Sequence, residues 1–84
     1  MQGLSTNLGL IALTDHDPAL AAKCFRHAIQ IIPNDAKLHY LLAQADFASG
    51  QMKEAKTQID AALELLPDRP EFKLLRAQIP SDQD

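Results

Sequence analysis

The sequence predicts an all-α chain in which antiparallel helix pairs stack side by side as a solenoid, and three observations carry that expectation. The phrase AIQIIPND at residues 28–35 returns as ALELLPDR at residues 62–69, 34 positions later, and a period of that length marks a repeated supersecondary unit. Proline and glycine fall between long apolar runs, where helices would begin and end. The composition is 46% hydrophobic but only 5% aromatic, with no Trp, which favours helices that approach one another through small side chains.

Taken in chain order, the first helix is expected at about 4–14, joined to the second by Asp15-His16-Asp17. Asp17 followed by Pro18 reads as an N-cap and then a proline at the first helical position, where its missing N–H costs nothing. The second helix therefore runs from 18 to about 32 and stops at Pro33. Asp35 caps a third helix over 36–49, and Gly50 supplies the left-handed residue that closes it. A fourth helix covers 52–66 and ends at Pro67. In Asp68-Arg69-Pro70-Glu71 the pattern resembles a capping box with Asp in place of Ser or Thr, and the helix it opens reaches about Ile79 before Pro80. Connections this short make successive helices antiparallel neighbours. The expected organisation is one domain over 1–80, with a first unit at about 2–35, a second at about 36–69, a capping helix at about 69–79, and a disordered polar tail at 81–84.

Sliding the chain by 34 positions superimposes Leu8 on Leu42, Gly9 on Ala43, Ala21 on Ala55, Phe25 on Ile59, Ala28 on Ala62 and Pro33 on Pro67. A third copy sets Phe72 on Leu38, Leu75 on Leu41 and Ala77 on Ala43, and ends after one helix. Gly9, Ala21, Ala43 and Ala55 let helix axes come close, while Phe25 and Ile59 fill the space beside them. Ala28 and Ala62 are expected against the next helix along, so that each pair covers its neighbour and the core continues from unit to unit.

This pattern resembles the tetratricopeptide repeat. Its order of leucine-glycine, alanine, an aromatic four residues on, alanine and proline is met by Leu8-Gly9, Ala21, Phe25, Ala28 and Pro33, then by Leu42-Ala43, Ala55, Ile59, Ala62 and Pro67. Nearly the whole chain is covered. It departs from the family at Ser5 and His39, where an early Trp is usual, at Ala12 and Asp46, where a mid-helix aromatic is usual, and at His16, where the turn usually has glycine. The resemblance implies a right-handed α-solenoid of two units plus a C-terminal capping helix, and a protein-binding role.

By that family's geometry, the first helix of each pair lines a concave groove. It would present Thr6, Leu10 and Leu13, then Lys37, Tyr40, Gln44 and Phe47, then Leu74 and Gln78. Positions 37, 40, 44 and 47 follow the spacing of one helix face. Leu10, Leu13, Tyr40, Phe47 and Leu74 make that face mainly apolar, as interaction surfaces are, and suited to a helix or extended segment with hydrophobic anchors. One subgroup of the family clamps a C-terminal carboxylate with basic and asparagine residues. The matching positions here are Thr6, Leu10, Leu41, Glu71 and Leu75, none of them basic, so that clamp is not expected. Glu71, with Lys53, Glu54, Lys56 and Asp60, is expected to keep the convex face solvated. The alternative reading is self-association as a homodimer or higher oligomer through Leu4, Leu8 and Ile11 on the outer side of the first helix, or a chain excised from a longer protein in which another repeat covers that side.

Other function classes find little support. Eight Lys and Arg against eleven Asp and Glu give a formal charge of −3, and the basic residues are scattered singly, which argues against nucleic acid or an anionic membrane as ligand. The N-terminal MQGLSTNLGLIAL lacks a basic leader and its apolar run is too short for a signal peptide or membrane span, leaving the cytoplasm as default. A single cysteine, Cys24, permits no intrachain disulfide. Cys24 and His27 lie three apart on one helix, the start of a nucleophile arrangement, but no third group or oxyanion loop accompanies them. Cys24 is expected to be a small, partly buried apolar residue and His27 solvated. Asp15, His16 and Asp17 sit in too tight a turn to converge on a metal, and His39 stands alone in the sequence. There is no Gly-rich phosphate loop, HExxH or paired-cysteine zinc spacing. The sequence thus reads as a non-catalytic interaction module, an adaptor, assembly scaffold or chaperone-like holder, with no cofactor and no metal.

Overall fold

The computed structural model describes residues 2–80, with side chains from residue 8 onward. The expectation for a tail at 81–84 lies outside the described residues, as do the side chains of Leu4 and Thr6. Five helices follow one another: α1 (Gln2–Thr14), α2 (Pro18–Ile31), α3 (Ala36–Ala48), α4 (Met52–Leu65) and α5 (Pro70–Gln78). The described residues contain no strand.

Local chemistry accounts for most of the ends. Asp17 Oδ1 accepts from the Leu20 N–H at 3.2 Å, and Asp35 Oδ1 accepts from the Lys37 and Leu38 N–H groups at 3.0 and 3.3 Å, satisfying donors that a helix start leaves free. The first helix of each unit closes with one motif. His16 (φ 60°) and Gly50 (φ 86°) occupy equivalent left-handed positions. The His16 and Gly50 N–H groups donate to Leu13 and Phe47, and the next N–H groups, of Asp17 and Gln51, donate to Ala12 and Asp46 at 2.8 Å. Both are Schellman closures, built once on histidine and once on glycine.

The start of α5 departs from the expected capping box. Arg69, not Asp68, is the N-cap residue, and no side chain caps the helix. Pro70 forces the residue before it into extended backbone, which makes Arg69 the boundary, leaves Asp68 outside, and puts Glu71 one position too early. Glu71 instead lies 3.6 Å from the Arg69 guanidinium.

α2 packs on α1 and on α3, and α4 packs on α3 and on α5, which is the sequential order of a helical array. One part of the core joins Ala12, Ala21, Ala22, Phe25, Leu41, Leu42 and Ala45, and a second joins Ala36, Ala43, Ala55, Ile59, Ala62, Phe72, Leu75 and Ile79. Tyr40 touches both. The small-large pairing appears at full depth: a Cβ on Gly9 would come 2.6 Å from Phe25 Cε1, so only glycine admits this ring there. In the second unit Ala43 and Ile59, both completely buried, fill the equivalent space with a larger and a smaller side chain. His39 is not isolated. Its ring lies between Gln58 Oε1 (Nδ1, 2.7 Å) and the Pro33 carbonyl (Nε2, 2.8 Å), tying α3 to α4 and to the turn before α3.

Candidate functional site

α3 and α5 enclose a hollow of about 200 Å³ lined by Tyr40, Gln44, Glu71, Leu74, Leu75 and Gln78. Tyr40 and Gln44 are one turn apart on α3, and Leu74 and Gln78 stand at the same two register positions on α5, so one helix face, written twice, forms both walls. The Tyr40 ring stacks on buried Phe72 at 4.9 Å between centroids, tilted by 31°, and the Arg69 guanidinium lies 5.8 Å from the Phe72 ring centre. Burial pushes the Tyr40 phenol above its ordinary value, and the Glu71 carboxylate adds to the rise. Leu74 stands out from the wall at 65% exposure.

Of the groove residues expected from the sequence, Tyr40, Gln44, Leu74 and Gln78 come together at this hollow. Leu10 is exposed on α1 at the register of Gln44 and Gln78, while Leu13 and Phe47 are half-buried against the first and second parts of the core. Lys37 is exposed at the start of α3 and is not among the residues lining the hollow, and the Thr6 side chain lies outside the described residues. Glu71 was expected on the convex face. It lines the hollow instead, because it sits one helical turn before Leu74 and Leu75. Leu41 and Leu75, matched to carboxylate-clamp positions, are both buried.

The outer side of α1 differs from its counterpart on α3. Leu42 is 1% exposed, whereas Leu8 at the same register is 47% exposed. Ile11 is exposed where Ala45 is buried. Leu42 and Ala45 pack in one cluster with Ala21, Ala22 and Phe25 of α2, and no described helix covers Leu8 and Ile11 of α1 in that way.

A buried charge is the feature the sequence reading missed. Asp46, on the last turns of α3, is 1% exposed. Its Oδ1 accepts a long bond, 3.5 Å, from the Arg26 guanidinium, and among the described residues Oδ2 has no hydrogen-bond partner. Burial raises the carboxyl from the ordinary 3.8 to about 6, with Arg26 opposing the rise and Glu54 adding to it. The signal was present in the repeat alignment, where Asp46 falls on Ala12. A hollow of about 460 Å³ opens beside it, lined by Ala19, Ala22, Arg26, Asp46, Ser49, Gln51 and Glu54.

Cys24 is buried and His27 exposed, so their spacing does not place a thiol and an imidazole together on an open surface. No group of three or more His, Cys, Asp and Glu among the described residues is arranged to hold a metal ion. No described helix is long and apolar enough to cross a membrane.

Stacked antiparallel helix pairs with a lined hollow between successive first helices define a helical-repeat protein. The tetratricopeptide repeat family's sequence model matches residues 12–79, and the chain belongs to that family. A search of curated proteins finds no match to the chain. Members of the family generally mediate protein–protein interactions and are generally non-catalytic.

Proposed function

We propose that the chain is a non-catalytic module, one domain of two repeat units and a capping helix, that holds an apolar-anchored protein segment in the hollow between α3 and α5. Its role as an adaptor, scaffold or chaperone-like holder rests on this one physical task. The observation that carries the reading is Leu74, exposed beside half-buried Tyr40, whose ring stacks on buried Phe72. Apolar area buried there contributes about 25 cal/mol per Å². Glu71 disfavours a carboxylate end in the same hollow and favours an exposed N–H or a cation beside the anchor.

The test is selection of a displayed peptide library on the purified chain. Selected peptides should share an aliphatic or aromatic anchor and bind the Leu74→Asp variant at least about tenfold more weakly, the loss expected for roughly 1.4 kcal/mol. Peptides that bind Leu74→Asp as well as wild type would place recognition elsewhere.

A second reading is favoured by α1. Leu8 and Ile11, in line with Leu4, repeat the register of Leu42, Ala45 and Leu38, all three buried, so this face has the composition of one that another helix covers. A second copy supplies such a helix, and identical faces pair about a two-fold axis. Sedimentation across a wide concentration range should then show a dimer that Ile11→Asp abolishes. A dimer indifferent to Ile11→Asp counts against this face.

A further inference from the structure

Asp46 is not required by the fold. Its register position in the first unit is held by Ala12, equally buried and apolar, and a buried carboxylate with one long bond costs stability that an alanine does not. The hollow beside it combines two surfaces. Ala19 and Ala22 on α2 give an apolar wall, while Asp46 and Ser49 at the end of α3 and Gln51 and Glu54 at the start of α4 give acceptor oxygens. Gln51 is the N-cap residue of α4, yet its side chain makes no capping bond, and the Ser49 hydroxyl spends its proton on the Asp46 carbonyl at 3.1 Å, which leaves its oxygen only an acceptor's role.

We propose that this hollow takes the side chain of a lysine from a partner protein, its methylenes along Ala19 and Ala22 and its ammonium between Asp46 and Glu54. A lysine fits both walls, because its stem is apolar and its head is a compact charge with three donors. A guanidinium fits less well, since the resident one of Arg26 reaches a single oxygen at 3.5 Å while remaining 54% exposed. That weak hold makes Arg26 the movable wall: swung toward solvent, it releases Oδ1, the one oxygen it holds. Two carboxylates facing one cation define the site. Asp46 projects from α3, and the charged groups that face it are Arg26 from α2 and Glu54 from α4. The site shares no residue with the hollow between α3 and α5, so it goes beyond the groove reading and is tested without it.

The experiment is a nuclear magnetic resonance titration of the intact chain with N-acetyl-lysine methylamide, with N-acetyl-norleucine methylamide as the uncharged control and 1,4-diaminobutane as the free-amine control. Saturable shifts are expected at the Asp46 and Glu54 carboxyl carbons and the Ser49 and Gln51 amides with the lysine probe and not with norleucine. Binding should weaken about tenfold on Asp46→Asn, several-fold on Glu54→Gln, and about tenfold when the pH is lowered enough to protonate Asp46. Glu54 is exposed, so Glu54→Gln and the pH arm decide the matter even where Asp46→Asn alters the fold. Equal shifts with norleucine, no saturation with lysine, or insensitivity to both Glu54→Gln and pH would overturn the assignment. Stronger binding of the diamine than of the blocked lysine would overturn the protein side chain as occupant.

Discussion

The two repeat units solve one packing problem in two ways, and exchanging the solutions gives a sharp test. Gly9 faces Phe25, and Ala43 faces Ile59 at the same register. A methyl group on Gly9 would lie 2.6, 2.9 and 2.9 Å from three atoms of the Phe25 ring, whereas carbon atoms pack at about 3.5 to 4.0 Å. The ring would have to retreat by roughly 1 Å, and Phe25 has no solvent-exposed side to retreat to. Overpacking of this kind costs about 1 to 3 kcal/mol. Part of it is offset in Gly9→Ala alone, because alanine is better in a helix by about 1 kcal/mol. Phe25→Ile alone leaves a gap beside Gly9 and costs in the range of about 1 to 3 kcal/mol. The double variant recreates the Ala43–Ile59 pair. In a double-mutant cycle the helix-propensity gain of alanine is present in both backgrounds and cancels, so what remains is the steric coupling, about 1 to 3 kcal/mol in favour of the pair. Urea unfolding of the four proteins, compared at a common slope, measures it. Additivity within about 0.5 kcal/mol would refute the claim that this contact dictates glycine.

Further predictions follow from the caps, the turn and the buried acid. Because the Asp46 carboxyl is raised from 3.8 to about 6 in the folded chain, the fold binds more protons than the unfolded state between those values, and Asp46 lowers stability as pH rises through that window. The bound set by that shift is about 3 kcal/mol. Asp46→Asn should therefore gain up to about that much over wild type at pH 7 and little at pH 4, read as the difference between two urea-unfolding profiles; a difference that does not vary with pH would contradict the sign. His16→Gly should raise the unfolding midpoint, since a left-handed non-glycine residue costs about 1 kcal/mol or more, and an unchanged midpoint would mean that the imidazole compensates. Asp35→Ala should cost about 1 kcal/mol through loss of its capping bonds, while Asp68→Ala should stay within about 0.5 kcal/mol; the reverse order would restore Asp68 as a cap.

How much was legible in the sequence depended on how local the cause was. The ends of α2, α3 and α4 follow from Asp17-Pro18, Asp35, Gly50, Pro33 and Pro67, each acting within one turn of itself, and they fall within one residue of expectation. The cap of α5 was misread because two local signals conflict there. Spacing favoured Asp68, but the steric demand of Pro70 on the residue before it prevails. The family resemblance grouped Tyr40, Gln44, Leu74 and Gln78 in one groove and helical spacing put positions 37, 40, 44 and 47 on one face, yet neither gives a depth, so half-buried Phe47 and Leu13 were not distinguished from them. Glu71 was assigned to the convex face because charges are usually solvated there; only the approach of α5 to α3 brings it to the hollow. His39 and Asp46 depend on what α2 and α4 bring alongside α3, which no spacing within α3 encodes.

An internal repeat also serves as a control for what the fold requires. Where the units agree, as at Ala21 and Ala55 or Ala28 and Ala62, all buried, packing alone explains the residue. Where they differ at constant burial and the difference is compensated, as with Gly9–Phe25 and Ala43–Ile59, packing still explains it. Asp46 against Ala12 is a different case. Both are buried, but the substitution introduces a charge whose bonded cation stays half in solvent, so the described residues compensate it only in part. Leu8 against Leu42 is the converse, with one residue type and opposite burial, so the missing term is a covering surface. In both places the comparison leaves a deficit that an external group of definite chemistry would fill: a cation at Asp46 and an apolar helix face at Leu8. Variants at the two should therefore act independently, because Ile11 stands on α1, which contributes no residue to the lining of the Asp46 hollow. A lysine probe should then bind Ile11→Asp with wild-type affinity, and loss of that binding would show that the two deficits are one surface.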